Sequence, residues 1–161
     1  GIGTALVELP NGIQVAALMA VNAVGDIIDP ATGLIIAGVR TSDGRGFADA
    51  RTILRRTEST EPNIPDGQNT TIGVVVTNAT LTPAQLSVVA RMAQSGLARA
   101  VRPAHTPADG DTIFALATGN RTEAPNLLRI GALAADATAD AIIRAVRAAT
   151  SIPGYPASRD F

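Results

Sequence analysis

Apolar positions along the chain fall into three regimes. Gly3 to Leu9 and Ile13 to Val24 are rich in Val, Ile, Leu and Ala, and Pro10-Asn11-Gly12 between them supplies turn chemistry. That pattern predicts a β-hairpin. A second turn signal, Asp29-Pro30-Ala31-Thr32-Gly33, leads into a short apolar run from Leu34 to Val39, so the first regime reads as a small antiparallel sheet. The second regime, Arg40 to Gln68, is polar, and only Ala48 to Arg56 has a short helical pattern. Its end, Glu58 to Asn69, contains Pro62, Pro65 and Gly67 among polar turn formers, which predicts an exposed, mobile loop that tolerates a chain break.

The third regime alternates strand and helix. Thr70 to Thr77 is a nearly continuous β-branched run, the pattern of a strand buried on both faces. Thr82-Pro83-Ala84-Gln85 then has the composition of a capped helix start: Thr to accept from the first turn, Pro at the first helical position, Gln to complete a capping box. Leu86, Val89, Ala90, Ala93, Leu97 and Val101 follow at helical spacing, and Pro103 ends the run. Thr112 to Ala117 predicts a second apolar strand. Asn126 to Ala149 predicts an amphipathic helix with Leu128, Ala132, Ala135, Ala139, Ile142, Ile143 and Val146 on one face. So much alanine implies close helix-to-sheet packing. The order of elements indicates an α/β (α+β) domain.

Composition narrows the chemistry. The 161 residues, 46% hydrophobic, suffice for one domain with its own core. All 13 basic residues are Arg and there is no Cys, which removes a lysine base, a thiol nucleophile, a disulfide framework and a zinc-thiolate site from this segment. A net charge of -1 with scattered Arg leaves no footprint for nucleic acid. No apolar run reaches the ~18 residues of a membrane span, and the start lacks a signal-peptide n-region, so a cytoplasmic location without membrane contact is expected. Because the chain opens on Gly1 and enters a strand-like run at once, it reads as a processed or partial polypeptide.

The most informative tripeptide is Asn69-Thr70-Thr71, at the junction of loop and strand. If the bond before Thr70 is cut, the new α-amine lies on the same residue as the hydroxyl, and its pKa of about 7.7 to 8.0 suits a general base. Threonine activated by its own N-terminal amine is a known nucleophile. Two simpler readings compete: a threonine that merely begins a strand, and an N-glycosylation pattern, also matched by Asn78-Ala79-Thr80 and Asn120-Arg121-Thr122. Asp109 and Asp111, at i and i+2, point to one side of an extended backbone. There they can orient an ammonium and a hydroxyl, hold a divalent cation, or simply form a turn before the strand. His105 is the single histidine, either a base or a loop anchor. Asn22, within an apolar run, needs polar partners or can direct its amide at an oxyanion.

Together these residues resemble a known family. Asn69-Thr70-Thr71-Ile72-Gly73-Val74-Val75, the Leu81-Thr82-Pro83 helix start, His105-Thr106-Pro107 and Asp109-Gly110-Asp111-Thr112 with Phe114-Ala115 are similar to the L-aminopeptidase/D-esterase (DmpA-type) peptidases. So are Gly1 to Ala5, Ala20 to Asp26 and Gly154-Tyr155-Pro156 to Asp160, in the same order. β-Aminopeptidases and nylon-oligomer hydrolases belong to that group; ornithine acetyltransferases, which transfer acyl groups, are more distant. The resemblance implies an αββα sandwich of the N-terminal-nucleophile hydrolase kind, of which this chain is the C-terminal half. It implies autocleavage between Asn69 and Thr70, with 1–69 ending the large subunit, 70–161 forming the small one, and both parts of one domain. Thr70 would be the nucleophile, Asn22 part of the oxyanion hole, and Asp109 and Asp111 the groups orienting Thr70 and its amine, with no cofactor and no metal. Thr with two Asp is the version nearer the nylon-oligomer branch. The implied partners are a small peptide or amide substrate, the missing N-terminal half, which in some members carries a catalytic Lys, and further copies in a homo-oligomer. The opposing expectation is a non-catalytic fragment or interaction module whose Asp-Gly-Asp turn is only structural.

Overall fold

The computed structural model describes residues 1–56, 69–121 and 123–161. The hairpin forms as expected from its turn: β1 (Ile2–Glu8) pairs antiparallel with β2 (Gln14–Ala20), in register from Ile2 opposite Ala20 to Glu8 opposite Gln14. The second strand stops at Ala20 rather than Val24. Residues 21–25 leave the sheet and deliver β3 (Asp26–Ile28) to a separate sheet with β4 (Ile35–Ala37) and a two-residue strand, β6 (Val101–Arg102). The run from Leu34 therefore does not extend the hairpin. A short helix, α1 (Ala50–Leu54), begins at Asp49, whose carboxylate accepts from the Arg51 N–H.

The principal sheet runs β1-β2-β5-β7, where β5 is Ile72–Ala79 and β7 is Thr112–Arg121. β5 is antiparallel to β2 and parallel to β7, so a crossover is required between β5 and β7, and α2 (Pro83–Ala100) supplies it. Its start is the predicted capping box: the Thr82 Oγ accepts from the Gln85 N–H at 3.3 Å and the Gln85 Oε1 from the Thr82 N–H at 2.9 Å. Val101 caps this helix at its C-terminus and belongs to β6.

α3 (Leu127–Ala148) lies beside α2, and both cover the same face of the sheet. At Gly96 of α2 a Cβ would run into the Ala135 carbonyl oxygen of α3, so the helix backbones approach as closely as glycine and alanine permit. The buried set of α3 is wider than one stripe, since the helix packs on both sheet and α2: Ile130, Ala134, Ala137, Thr138, Ala141 and Ala145 are buried beside the predicted Ala135, Ala139, Ile142 and Ile143. Leu128 and Ala132, predicted for the same face, are exposed.

The other face of the sheet is open. Burial along β5 alternates, with Gly73, Val75, Thr77 and Ala79 inside and Ile72 half exposed, so the strand expected to be buried on both faces is covered on one. Cross-strand register puts Ile2, Leu6, Leu18, Ile72, Phe114 and Leu116 together on the uncovered side. The chain thus supplies a helix layer and a sheet layer of the α/β architecture. No described helix is long and apolar enough to cross a membrane.

Candidate active site

Three chain segments converge at the N-terminal end of β5: the exit of β2, the residues before β5, and the loop before β7. Thr70 lies two residues ahead of the first strand residue, yet it is tightly held. Its N–H donates to the Asn22 carbonyl oxygen at 2.8 Å, and Asn69 bridges in parallel fashion to Asp109. The Thr70 Oγ donates to the carbonyl oxygen of Asn69 at 2.7 Å, so the hydroxyl lies against the carbonyl of the bond that precedes its own residue. The same oxygen accepts from the Gly110 N–H at 3.1 Å. Residues 57–68, which carry nearly all of the predicted processing loop, lie outside the described residues.

Both predicted carboxylates are present, and each grips backbone. Asp109 accepts from the Val24 N–H through Oδ1 at 3.3 Å, and from the N–H and hydroxyl of Thr106 through Oδ2 at 3.0 and 2.6 Å. It thereby ties its own loop to the segment carrying Asn22. Asp111 accepts from the Thr71 N–H through Oδ1 at 2.9 Å, while the Thr112 N–H donates to the Thr71 carbonyl at 3.0 Å. The residue following Thr70 is therefore fixed at both its amide and its carbonyl. The Asp111 side chain is 3% exposed, and its Oδ2 has no hydrogen-bond partner among the described residues. Burial raises its pKa above the ordinary carboxylate range; the Thr71 N–H opposes this, the nearby Asp109 charge adds to it, and His105 opposes it.

His105 adopts φ +56° and leaves its ring partly exposed, with Nδ1 3.9 Å from the Asp111 Oδ2. Asn22 is exposed and lies beyond the end of β2, not in a buried strand. It contributes its main-chain carbonyl to Thr70, a role that residue type does not reveal. Thr106 and Gly110 were not singled out from the sequence: Thr106 had a weak signal in its position three residues before Asp109, and Gly110 had none beyond turn chemistry. Among the described residues no group of three or more His, Asp or Glu is placed to hold a metal ion.

The Thr70 hydroxyl thus lies against a carbonyl at the start of a strand, with the two aspartates holding main-chain amides of Val24, Thr106 and Thr71, and comparison with known proteins decides the family. Residues 1–159 match the profile of peptidase family S58. The chain belongs to that family. An uncharacterized aminopeptidase of Mycobacterium leprae is 40% identical over 179 residues, covering 97% of this chain and 46% of that protein. A 6-aminohexanoate-oligomer endohydrolase of a Kocuria species is 30% identical over 168 residues, covering 91% of this chain and 44% of that protein. The chain thus spans about half the length of these family S58 relatives. In structure it resembles a β-aminopeptidase of a Burkholderia species, with TM-score 0.60, 25% identity, and coverage of 91% of this chain and 41% of that one. It shares its fold with an L-aminopeptidase D-Ala-esterase/amidase of Ochrobactrum anthropi, described as a prototype for the serine aminopeptidases and a variant of the Ntn hydrolase fold. There the TM-score is 0.58 at 21% identity, over 92% of this chain and 40% of that one. The fold is accordingly of the Ntn-hydrolase kind.

Proposed function

We propose that this chain carries the nucleophile of a self-processing N-terminal-threonine amidohydrolase, which cuts its own Asn69–Thr70 bond and then hydrolyses amide or ester bonds of small peptides, amino-acid amides or related oligomers. The observation that carries this reading is the Thr70 Oγ at 2.7 Å from the Asn69 carbonyl oxygen, with the Thr70 N–H held by Asn22. In the cut, Oγ bonds to the Asn69 carbonyl carbon and the carbon–nitrogen bond breaks. The hydroxyl proton ends on the departing nitrogen, which becomes the α-amine of Thr70. Water then adds to the resulting ester, the carbon–Oγ bond breaks, and Asn69 leaves as a carboxylate while Oγ regains a proton.

In turnover the freed amine acts as base for the hydroxyl beside it. Oγ takes up the substrate acyl group, the amine of the leaving half departs with a proton, and water releases the acid. Asp111, through the Thr71 N–H, and Asp109, through Val24 and Thr106, are positioning residues for Thr70 and for the segment bearing Asn22. The names of the relatives, aminopeptidase and 6-aminohexanoate-oligomer endohydrolase, support an amide substrate. The open apolar face of the sheet supports burial against a second sheet from the remainder of the precursor, with further copies completing an oligomer. No cofactor enters any step.

The test is the pair Thr70→Ala and Thr70→Ser in the full-length gene product. Thr70→Ala leaves the chain uncut and inactive, while Thr70→Ser retains cleavage because serine offers the same hydroxyl and amine. An uncut wild type with full activity refutes the reading.

A further inference from the structure

From the contacts of Gly110 we infer that its main-chain N–H is the donor that stabilises the oxyanion formed on Asn69 as the chain cuts itself, and that the missing side chain at 110 is what gives the Thr70 hydroxyl its place. This rests on the self-cleavage reading above and goes beyond it, in naming a group outside the nucleophile, the asparagine and the aspartates.

Two independent observations meet at this glycine. Its N–H donates to the Asn69 carbonyl oxygen at 3.1 Å, and the other donor to that oxygen among the described residues is the Thr70 hydroxyl. When Oγ attacks the carbonyl carbon, its proton must leave and its bond to the carbonyl oxygen is lost. Negative charge builds on an oxygen whose remaining donor among the described residues is Gly110. The proton that leaves Oγ ends on the Thr70 nitrogen, and the Asn69 carbon exchanges its bond to nitrogen for a bond to Oγ, so the step needs no further reactant. A main-chain amide in a loop that Asp109 ties to Val24 and Thr106 needs no reorganisation to meet that charge.

The second observation concerns space. A Cβ at position 110 would lie 2.7 Å from the Thr70 Oγ and 3.5 Å from its Cγ2. Unlike Gly12 or Gly119, Gly110 is not in the left-handed region, so its backbone conformation is open to any residue. The requirement for glycine comes from Thr70.

The experiment is performed on the full-length gene product, translated in vitro with position 110 decoded either as glycine or as glycolic acid, which replaces the N–H by an ester oxygen. A matched glycolate at 44 removes the Gly44 N–H bond to the Thr41 carbonyl, a backbone bond outside the site. The rate of appearance of the piece starting at Thr70 is followed by gel and mass spectrometry. The glycolate at 110 is expected to slow cleavage by about 10²-fold, the effect of losing one oxyanion donor, and the ester at 44 by no more than a fewfold. Gly110→Ala, which keeps the N–H and fills the space, is expected to block cleavage as well. Cleavage of the glycolate chain at the glycine rate, or equal slowing by the two esters, overturns the inference while leaving Thr70 as nucleophile. Failure of the glycine chain itself to be cut overturns the self-cleavage reading instead.

Discussion

Thr70 and Thr71 are adjacent, carry the same hydroxyl, and differ in where the fold puts it; Thr71→Val separates them. Thr71 is fully buried, its Oγ1 has no hydrogen-bond partner among the described residues, and its ties to Asp111 and Thr112 run through its backbone. Valine keeps the β-branched shape and both backbone bonds, exchanging an unmet hydroxyl for a methyl group. A buried hydroxyl without a partner costs about 1–3 kcal/mol. Allowing for imperfect fit of the methyl, Thr71→Val is expected to raise stability by about 1 kcal/mol, or about 2–4 °C in melting temperature for a protein of this size. Stability is measured by thermal or urea unfolding with Thr70→Ala also present, so that both chains remain uncut. Cleavage is measured with Thr70 intact, and Thr71→Val should be cut at a rate within a few-fold of wild type. A loss of about 1 kcal/mol or more refutes the account of the buried hydroxyl. A stably folded Thr71→Val chain that is not cut would show that the wrong threonine has been assigned.

Asp111→Asn keeps an acceptor for the Thr71 N–H and removes a buried charge. Since burial raises the native pKa, the native state binds more protons than the unfolded chain between the ordinary carboxylate value and that raised value, and stability falls as pH rises through this window. The Asn variant should lose that slope and be at least as stable at pH 7 by urea unfolding, while its processing slows; a variant less stable at pH 7 than wild type contradicts the assignment. Thr82→Ala removes one half of the α2 capping box and should cost about 0.5–2 kcal/mol in the same measurement. Gly96→Ala gains up to about 1 kcal/mol of helix propensity, yet the added Cβ meets the Ala135 carbonyl oxygen, and overpacking of about 1–3 kcal/mol should win, giving a lower melting temperature.

What was legible in the sequence was local. The Pro10-Asn11-Gly12 turn and the Thr82-Pro83-Gln85 start are decided by a few neighbouring residues, and both elements lie where those signals put them. The second sheet was not legible, because Asp26–Ile28 and Val101–Arg102 are too short for periodicity and are far apart in sequence. Ile130, Ala134 and Thr138 were missed because a single stripe cannot describe a helix that meets both a sheet and another helix. At the site, residue type pointed to Asn22, Thr70, Asp109 and Asp111, and all four lie in the converging segments. Their main-chain contacts were invisible: the Asn22 carbonyl, the Val24 and Thr71 amides and the Gly110 amide carry no mark in the side chain.

The central claim is that Thr70 becomes the first residue of a separate piece and acts there as nucleophile. Mass spectrometry of the purified full-length gene product, before and after acid quenching during turnover of an amino-acid ester, tests both halves at once. The account predicts a piece whose N-terminal residue is Thr70 and an acyl mass increment on that residue. An active preparation with the Asn69–Thr70 bond intact, or an acyl group borne by any other residue, contradicts it.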